Sequence, residues 1–237
     1  MTTPRSLART LRPVAGLALA AGLLAVAGCN PQTFFFLQPN NPSIPRSATD
    51  LDLKGKRVVI LTHAAADTTL NSPGIDLEIA QRLASILRKK VKKIDVVDPD
   101  KVRSWAEDHP SWTKPSEAAE KFEADVVVYL EFDRFSLEDW RSPGLFEGRS
   151  TVQVKVTEME YPKDDKGRPN KSKPREPREV VNDTKETAYP KHQGAMAPSN
   201  EVSRSVFRSK FVTEVVKDIS GIFVDRDMGD DIQDTKF

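Results

Sequence analysis

Hydrophobic positions recur along this chain in three ways: one unbroken apolar run, short β-branched runs, and segments of helical period. The unbroken run is Val14 to Ala27. The regular pattern starts at Gly55. Arg57-Val-Val-Ile-Leu-Thr62 is a short β-branched run that predicts a buried strand. After a turn at Asn71-Ser72-Pro73-Gly74, the stretch GIDLEIAQRLASILRKK puts Ile75, Ile79, Leu83, Ile86 and Leu87 on one face of a helix. Arg88, Lys89 and Lys90 fall in its last turn, where cations suit the helix dipole. Lys93 to Asp98 predicts a second strand. Asp98-Pro99 then opens a short helix through Trp105, with Asp98 as cap and Pro99 at its first position. Another short helix follows, with Ser116 as its cap.

The second half of the pattern is dominated by strands. Asp125 to Asp139, DVVVYLEFDRFSLED, is apolar on both faces at its start and runs into the connection WRSPGLFEG. Arg149 to Glu160 alternates, with Val152, Val154 and Val156 on one side and Thr151, Gln153, Lys155 and Thr157 on the other. That is a strand with one solvated face. Residues 160–179 are charged, rich in proline and nearly without apolar side chains, which predicts a mobile excursion. Glu179 to Ala188 resumes as a weaker strand. Ser199-Asn200 opens a last helix through Ile222, with Val202, Val206, Phe207, Phe211, Val215 and Ile219 inward. The predicted order is β-α-β-α-α-β-β-β-α. It belongs to the α/β (α+β) class, a mixed sheet with helices over one face.

The N-terminus changes the picture more than the composition does. Arg5, Arg9 and Arg12 precede the apolar run without any acid, and small residues close it. Charged start, apolar centre and small-residue end make a secretory signal. The run is shorter than the roughly 20 apolar residues a membrane helix needs. It ends in Val26-Ala27-Gly28-Cys29, which resembles the lipobox of bacterial lipoproteins. The resemblance implies cleavage between Gly28 and Cys29, a diacylglycerol thioether on Cys29 and an acylated new amino group. Several acyl chains make anchoring stable where one is marginal. Asn30 stands where an Asp would retain a sorted lipoprotein in the inner membrane, so the expected address is the outer membrane, facing the periplasm.

These readings divide the chain into a signal peptide (1–28), a lipidated cysteine and flexible tether (29–54), one α/β domain (55–224) and an acidic tail (225–237). Pro31, Pro39, Pro42 and Pro45 break regular structure in the tether. It also holds Phe34, Phe35 and Phe36, a cluster next to the lipid that suits a membrane interface, a partner or the domain itself. Cys29 is the only cysteine, so the exported part can form no internal disulfide. Without residues 1–28 the chain holds 33 basic and 35 acidic residues, a formal charge of −2. That balance gives no basic field for nucleic acid.

The order of elements, with GIDLEIAQRLASIL, ADVVVYLEF and GRSTVQVKVTE at its centre, resembles a group of envelope proteins. The group includes the N-terminal domain of the translocation protein TolB, the curli secretion lipoprotein CsgG and the lipoprotein activator of penicillin-binding proteins. The resemblance covers roughly Lys56 to Phe223. It implies periplasmic binding, scaffolding or activation of a protein partner. The alternative is a subunit of a trans-envelope export assembly that self-associates. No long alternating segments suited to a membrane barrel stand out.

Chemistry has few candidates. His63 follows the first strand with Asp67 and Asp76 nearby in sequence, a place where a hydrolytic or metal site could sit; a hydrogen-bonded loop histidine is the competing reading. His109 and His192 lie in proline-bearing connectors. No HExxH, Gly-x-Ser-x-Gly or phosphate-binding glycine loop occurs. The expectation is a binding protein rather than an enzyme, with no cofactor and no metal. The candidate interface is Trp140, Arg141, Leu145 and Phe146 in the SLEDWRSPGLFEG connection, since aromatics interleaved with arginine anchor interfaces. The competing reading buries those aromatics in the domain.

Overall fold

The computed structural model describes residues 43–138, 141, 143–191, 194–199 and 202–227. It divides at Pro42, and the elements below belong to the unit that begins at Ser43. The strands are β1 (Ser43–Ile44), β2 (Arg57–Ala64), β3 (Asp95–Val96), β4 (Val126–Glu138), β5 (Phe146–Glu160), β6 (Glu176–Tyr189) and β7 (Arg226–Asp227). The helices are α1 (Ala66–Asn71), α2 (Ile75–Lys90), α3 (Pro99–Asp108), α4 (Pro115–Phe122) and α5 (Arg204–Ser220). Five strands form one mixed sheet in the order β3-β2-β4-β5-β6, while β1 and β7 pair separately. β2 runs parallel to β3 and β4; β5 and β6 continue antiparallel.

This strand order corrects the expectation of helices on one face. From β2 the chain steps to β3 on one side, then back across to β4 on the other. Right-handed crossovers in opposite directions put their helices on opposite faces. Accordingly Val58 and Ile60 of β2 pack with α2 and α5, whereas Val59 and Leu61 pack with α3 and α4. Beyond β4 the second face is open. There the alternation of β5 holds as read: Val152, Val154 and Val156 are fully buried under α5, and Thr151, Gln153, Lys155 and Thr157 are half-exposed.

β4 solves a parity problem. Val126, Val128, Leu130 and Phe132 face the larger core at even positions, and Phe135 and Leu137 face it at odd ones. A register shift between Phe132 and Arg134 moves the strand by one residue and keeps both sets inside. The end of the strand therefore adds aromatic surface to the core. Phe135 lies 4.9 Å from Phe211, and Phe207 lies 5.1 Å from Phe146 and 5.3 Å from Tyr189.

Helix ends and connections depart from the sequence reading in identifiable ways. Asp98 caps α3 as expected, accepting from the Asp100 amide at 3.2 Å. α4 begins at Pro115, not after Ser116, because Glu117 reaches back to the Lys114 and Thr113 amides at 3.1 Å. α5 begins at Arg204 with Ser203 as cap, so Val202 is buried ahead of it and Val206 is turned outward. Only Asp95 and Val96 of the second predicted strand are paired.

Two boundaries also move. The segment read as the end of a tether docks on the domain: Leu51 and Leu53 are buried, Ser47 and Ala48 donate to Gly221 and Ile222 carbonyls, and β1 pairs with β7. Apolar Leu51 and Leu53 among polar neighbours are its anchor. The charged excursion read over 160–179 is shorter, since β6 already begins at Glu176 opposite Glu160. Residues 161–175 form the hairpin end, closed by Asp164 and Arg168 and tied down by Arg175 to Asp125 at 3.0 Å. The open edge of β6 is guarded against strand addition by a bulge near Val180 and by Asp183, Lys185 and Glu186. Among the described residues no helix is long and apolar enough to cross a membrane.

Candidate functional site

The turn from β4 to β5 places the predicted interface at one end of the sheet. Phe146 is 5% exposed and stacks on Phe207, so it is a core residue and not an exposed anchor. The sheet needs an apolar side chain where β5 begins over α5, and Phe146 supplies it. Leu145 is half-buried and Arg141 is exposed. Trp140 lies outside the described residues, as do Gly28, Cys29, Phe34, Phe35, Phe36 and His192. Phe146→Ala is expected to cost about 3–5 kcal/mol, in line with buried Phe truncations, and chemical denaturation measures it.

What the hairpin does present is a cleft of about 750 Å³ between its strands and α1. Arg134, Arg149 and Arg204 line it, together with Asp67 and Glu138. Arg204 pairs with Glu138, and Arg149 with Glu147 at 2.6 Å. On α1, beside the lining residues Asp67 and Asn71, Leu70 is 83% exposed. α1 is a helix of only six residues that touches β4, and its inward anchor is the buried Thr68. Leu70 has no core to enter. The sequence does not reveal it, because a single Leu in a short polar segment breaks no period.

A second crevice, of about 530 Å³, lies where the strand order reverses, beyond the carboxyl ends of β2 and β3, and reaches Tyr129 and Glu131 in the first half of β4. Open α/β sheets hold ligands at such a place. Thr62, His63, Asp76, Arg103, Tyr129 and Glu131 face it. The Thr62 hydroxyl donates to Asp76 Oδ2 at 3.3 Å, and Arg103 bridges Asp76 at 3.8 Å and Glu107 at 2.8 Å. The hydrogen bond to Glu107, with the Asp76 charge behind it, holds the Arg103 guanidinium above its ordinary range. Asp76 lines this crevice together with His63, while Asp67 lines the hairpin cleft. Among the described residues no group of three or more His, Cys, Asp or Glu is placed to hold a metal ion. His109 is exposed, stacked on Trp105 at 5.5 Å with its Nδ1 2.9 Å from the Trp105 carbonyl.

Tyr129 is hidden by its sequence context, a strand of apolar residues. It is 9% exposed and meets Trp112 edge-on at 5.9 Å. Burial, and then the charges of Glu131 and Asp133, push its phenol up to about 12. An ultraviolet difference titration between the parent chain and Tyr129→Phe should show a phenol with that midpoint. The folded phenol keeps its proton above pH 10, where the unfolded one ionises, so this contribution to stability is full below about pH 10 and is lost on rising through pH 12.

No protein-family model matches the chain, and no curated protein does. Solved structures align with it at low identity. The PelC dodecamer from Paraburkholderia phytofirmans is 13% identical over 77% of this chain and 95% of that one, with a TM-score of 0.40. The hypothetical protein CT253 from Chlamydia trachomatis is 15% identical over 71% and 97%, with a TM-score of 0.41. Lipoprotein GNA1162 from Neisseria meningitidis is 12% identical over 70% and 98%, with a TM-score of 0.35.

Proposed function

We propose that this chain is a lipid-anchored protein of the cell envelope, held at Cys29 on the outer membrane and facing the periplasm, that binds or scaffolds a protein partner. Catalysis is not part of this reading. The anchor rests on the Val26-Ala27-Gly28-Cys29 sequence; the observation that carries partner binding is Leu70, a large apolar side chain left 83% exposed on α1 beside the arginine-lined cleft. Arginine is enriched among the residues that anchor interfaces, and an exposed leucine next to the cleft adds apolar area to it. Burying Leu70 under a partner would remove apolar surface from water, while Arg134 offers planar donors to an acidic group.

Two substitutions test the reading separately. Cys29→Ser should move the chain from the membrane fraction to the soluble fraction of the envelope. Leu70→Asp should leave thermal stability unchanged, because the site is exposed, and reduce recovery of the co-purifying envelope protein at least about tenfold. Unchanged recovery with Leu70→Asp would remove this surface from consideration. Recovery of only the chain itself would instead make it a subunit of a self-assembled ring, the alternative drawn from the sequence.

A further inference from the structure

The charge on this domain is sorted by end. α2 and α5 run side by side in the same direction, with Glu78 on Arg208 at 2.6 Å and Arg82 on Thr213 at 3.0 Å. Their carboxyl ends, the start of β2 and the β5–β6 hairpin end therefore lie together, as the contacts of Lys56 and Arg178 with Glu158 also show. This end carries Arg88-Lys89-Lys90-Val91-Lys92-Lys93, five cations in six residues. Lys163, Lys166, Lys171 and Lys173 of the hairpin end add to it.

Several acids at the same end are paired within the fold, whereas Asp50, Asp52, Asp165 and Glu176 are exposed without a described ion-pair partner. Asp95 pairs with Arg57, Asp125 with Arg175, Glu160 with Arg178, and Asp164 with Arg168. Lys89, Lys92 and Lys93 make no ion pair with another described residue, and all three are exposed. The dipole of α2 accounts for cations in its last turn. It does not account for Lys92 and Lys93 beyond the helix, nor for the hairpin lysines. Lys93 even holds a left-handed backbone, φ 59°, where glycine or asparagine would be cheaper.

The same end receives the segment that begins at Ser43. β1 pairs with β7 directly after α5, Ile44 opposite Arg226, and the Arg46 amide donates to Asp225 at 3.0 Å. Arg226 also lines the groove between α2 and α5, with Arg82, Lys89 and Lys217. From Cys29 to Ser43 the backbone can reach no more than about 50 Å. The domain begins at this end, so a chain anchored at Cys29 would enter it here.

We propose that the basic end is a membrane-docking face that lies against an anionic lipid bilayer. It rests on the anchoring of Cys29 for its geometry. One anchor fixes the chain to the membrane; the lysines fix which end faces it. Each lysine close to an anionic surface adds favourable energy that falls off within a Debye length, so docking weakens with salt. The hairpin cleft with Leu70 lies at the other end of β4 and then points away from the lipid.

The test uses the full mature chain without acyl groups, residues 29–237 with Cys29→Ser, so that lipid insertion does not mask the surface. Its partition is measured onto vesicles of phosphatidylcholine alone and of phosphatidylcholine with phosphatidylglycerol. Binding is expected only to the anionic vesicles, and raising sodium chloride from about 50 mM to about 500 mM should release it. Lys89→Gln with Lys92→Gln and Lys93→Gly should weaken it about tenfold or more while the fold is kept, since all three sites are exposed and glycine relieves the backbone at position 93. Equal binding to both vesicles would assign the contact to Phe34, Phe35 and Phe36 and overturn the proposal. So would anionic binding that the triple variant leaves unchanged, or no binding at all. Cell fractionation of Cys29→Ser reports on the anchor alone, so the two readings fail independently.

Discussion

A chain that begins at Gly55 is expected to be unfolded, or nearly so, at ambient temperature, whereas one that begins at Ser43 folds normally. The eleven-residue stretch from Ser43 to Leu53 brings the β1–β7 pairing, the bonds from Ser47 and Ala48 to Gly221 and Ile222, and the side chains of Leu51 and Leu53, which are 3% and 0% exposed. Removing a buried leucine side chain costs about 2–5 kcal/mol, so losing two consumes much of the roughly 5–15 kcal/mol that a domain has in total. Leu53→Ala in the longer chain should account for about half of the loss. Chemical denaturation of the three proteins settles it, and equal midpoints would make the segment a passive tether after all.

Gly148→Ala is expected to destabilise the domain by about 1–3 kcal/mol, the usual range for overpacking a core. A β-carbon at this position would sit 2.6 Å from the Phe211 ring, which is fully buried against Phe135 and cannot swing away. The glycine is required by close approach, not by its backbone angles. Phe211→Leu alone should also destabilise, but the double variant should be more stable than the sum of the two losses, because the smaller side chain relieves the clash. Strict additivity would mean that the two positions do not share this contact.

The legible part of the fold is what local pattern controls. Strands β2, β4 and β5, the inner face of α2 and the Asp98-Pro99 start of α3 follow from β-branching, period and capping. Lateral order does not. That β2 sits between β3 and β4 is a long-range fact, and it decides both the two-sided helix cover and the crevice beside His63. Tyr129 and Glu131 are hidden in the sequence for that reason: they come to His63 only through the parallel pairing of His63 with Glu131. Phe146 reads as a surface anchor because its partner Phe207 is 61 residues away in sequence. Charge sorting is equally illegible, since it depends on which ends of α2, β5 and β6 coincide. Net charge near zero conceals a domain with a basic end.

The central claim is an orientation: lipid at the basic end, protein partner at the hairpin end. Photocrosslinking in living cells tests it most directly, with a photoreactive residue at Leu70 in one strain and at Lys93 in another. Both positions are exposed, so both variants should fold. The expected result is a discrete adduct with a second envelope protein from position 70, and lipid adducts without a protein partner from position 93. A protein adduct from position 93 together with lipid adducts from position 70 would invert the molecule and contradict the account.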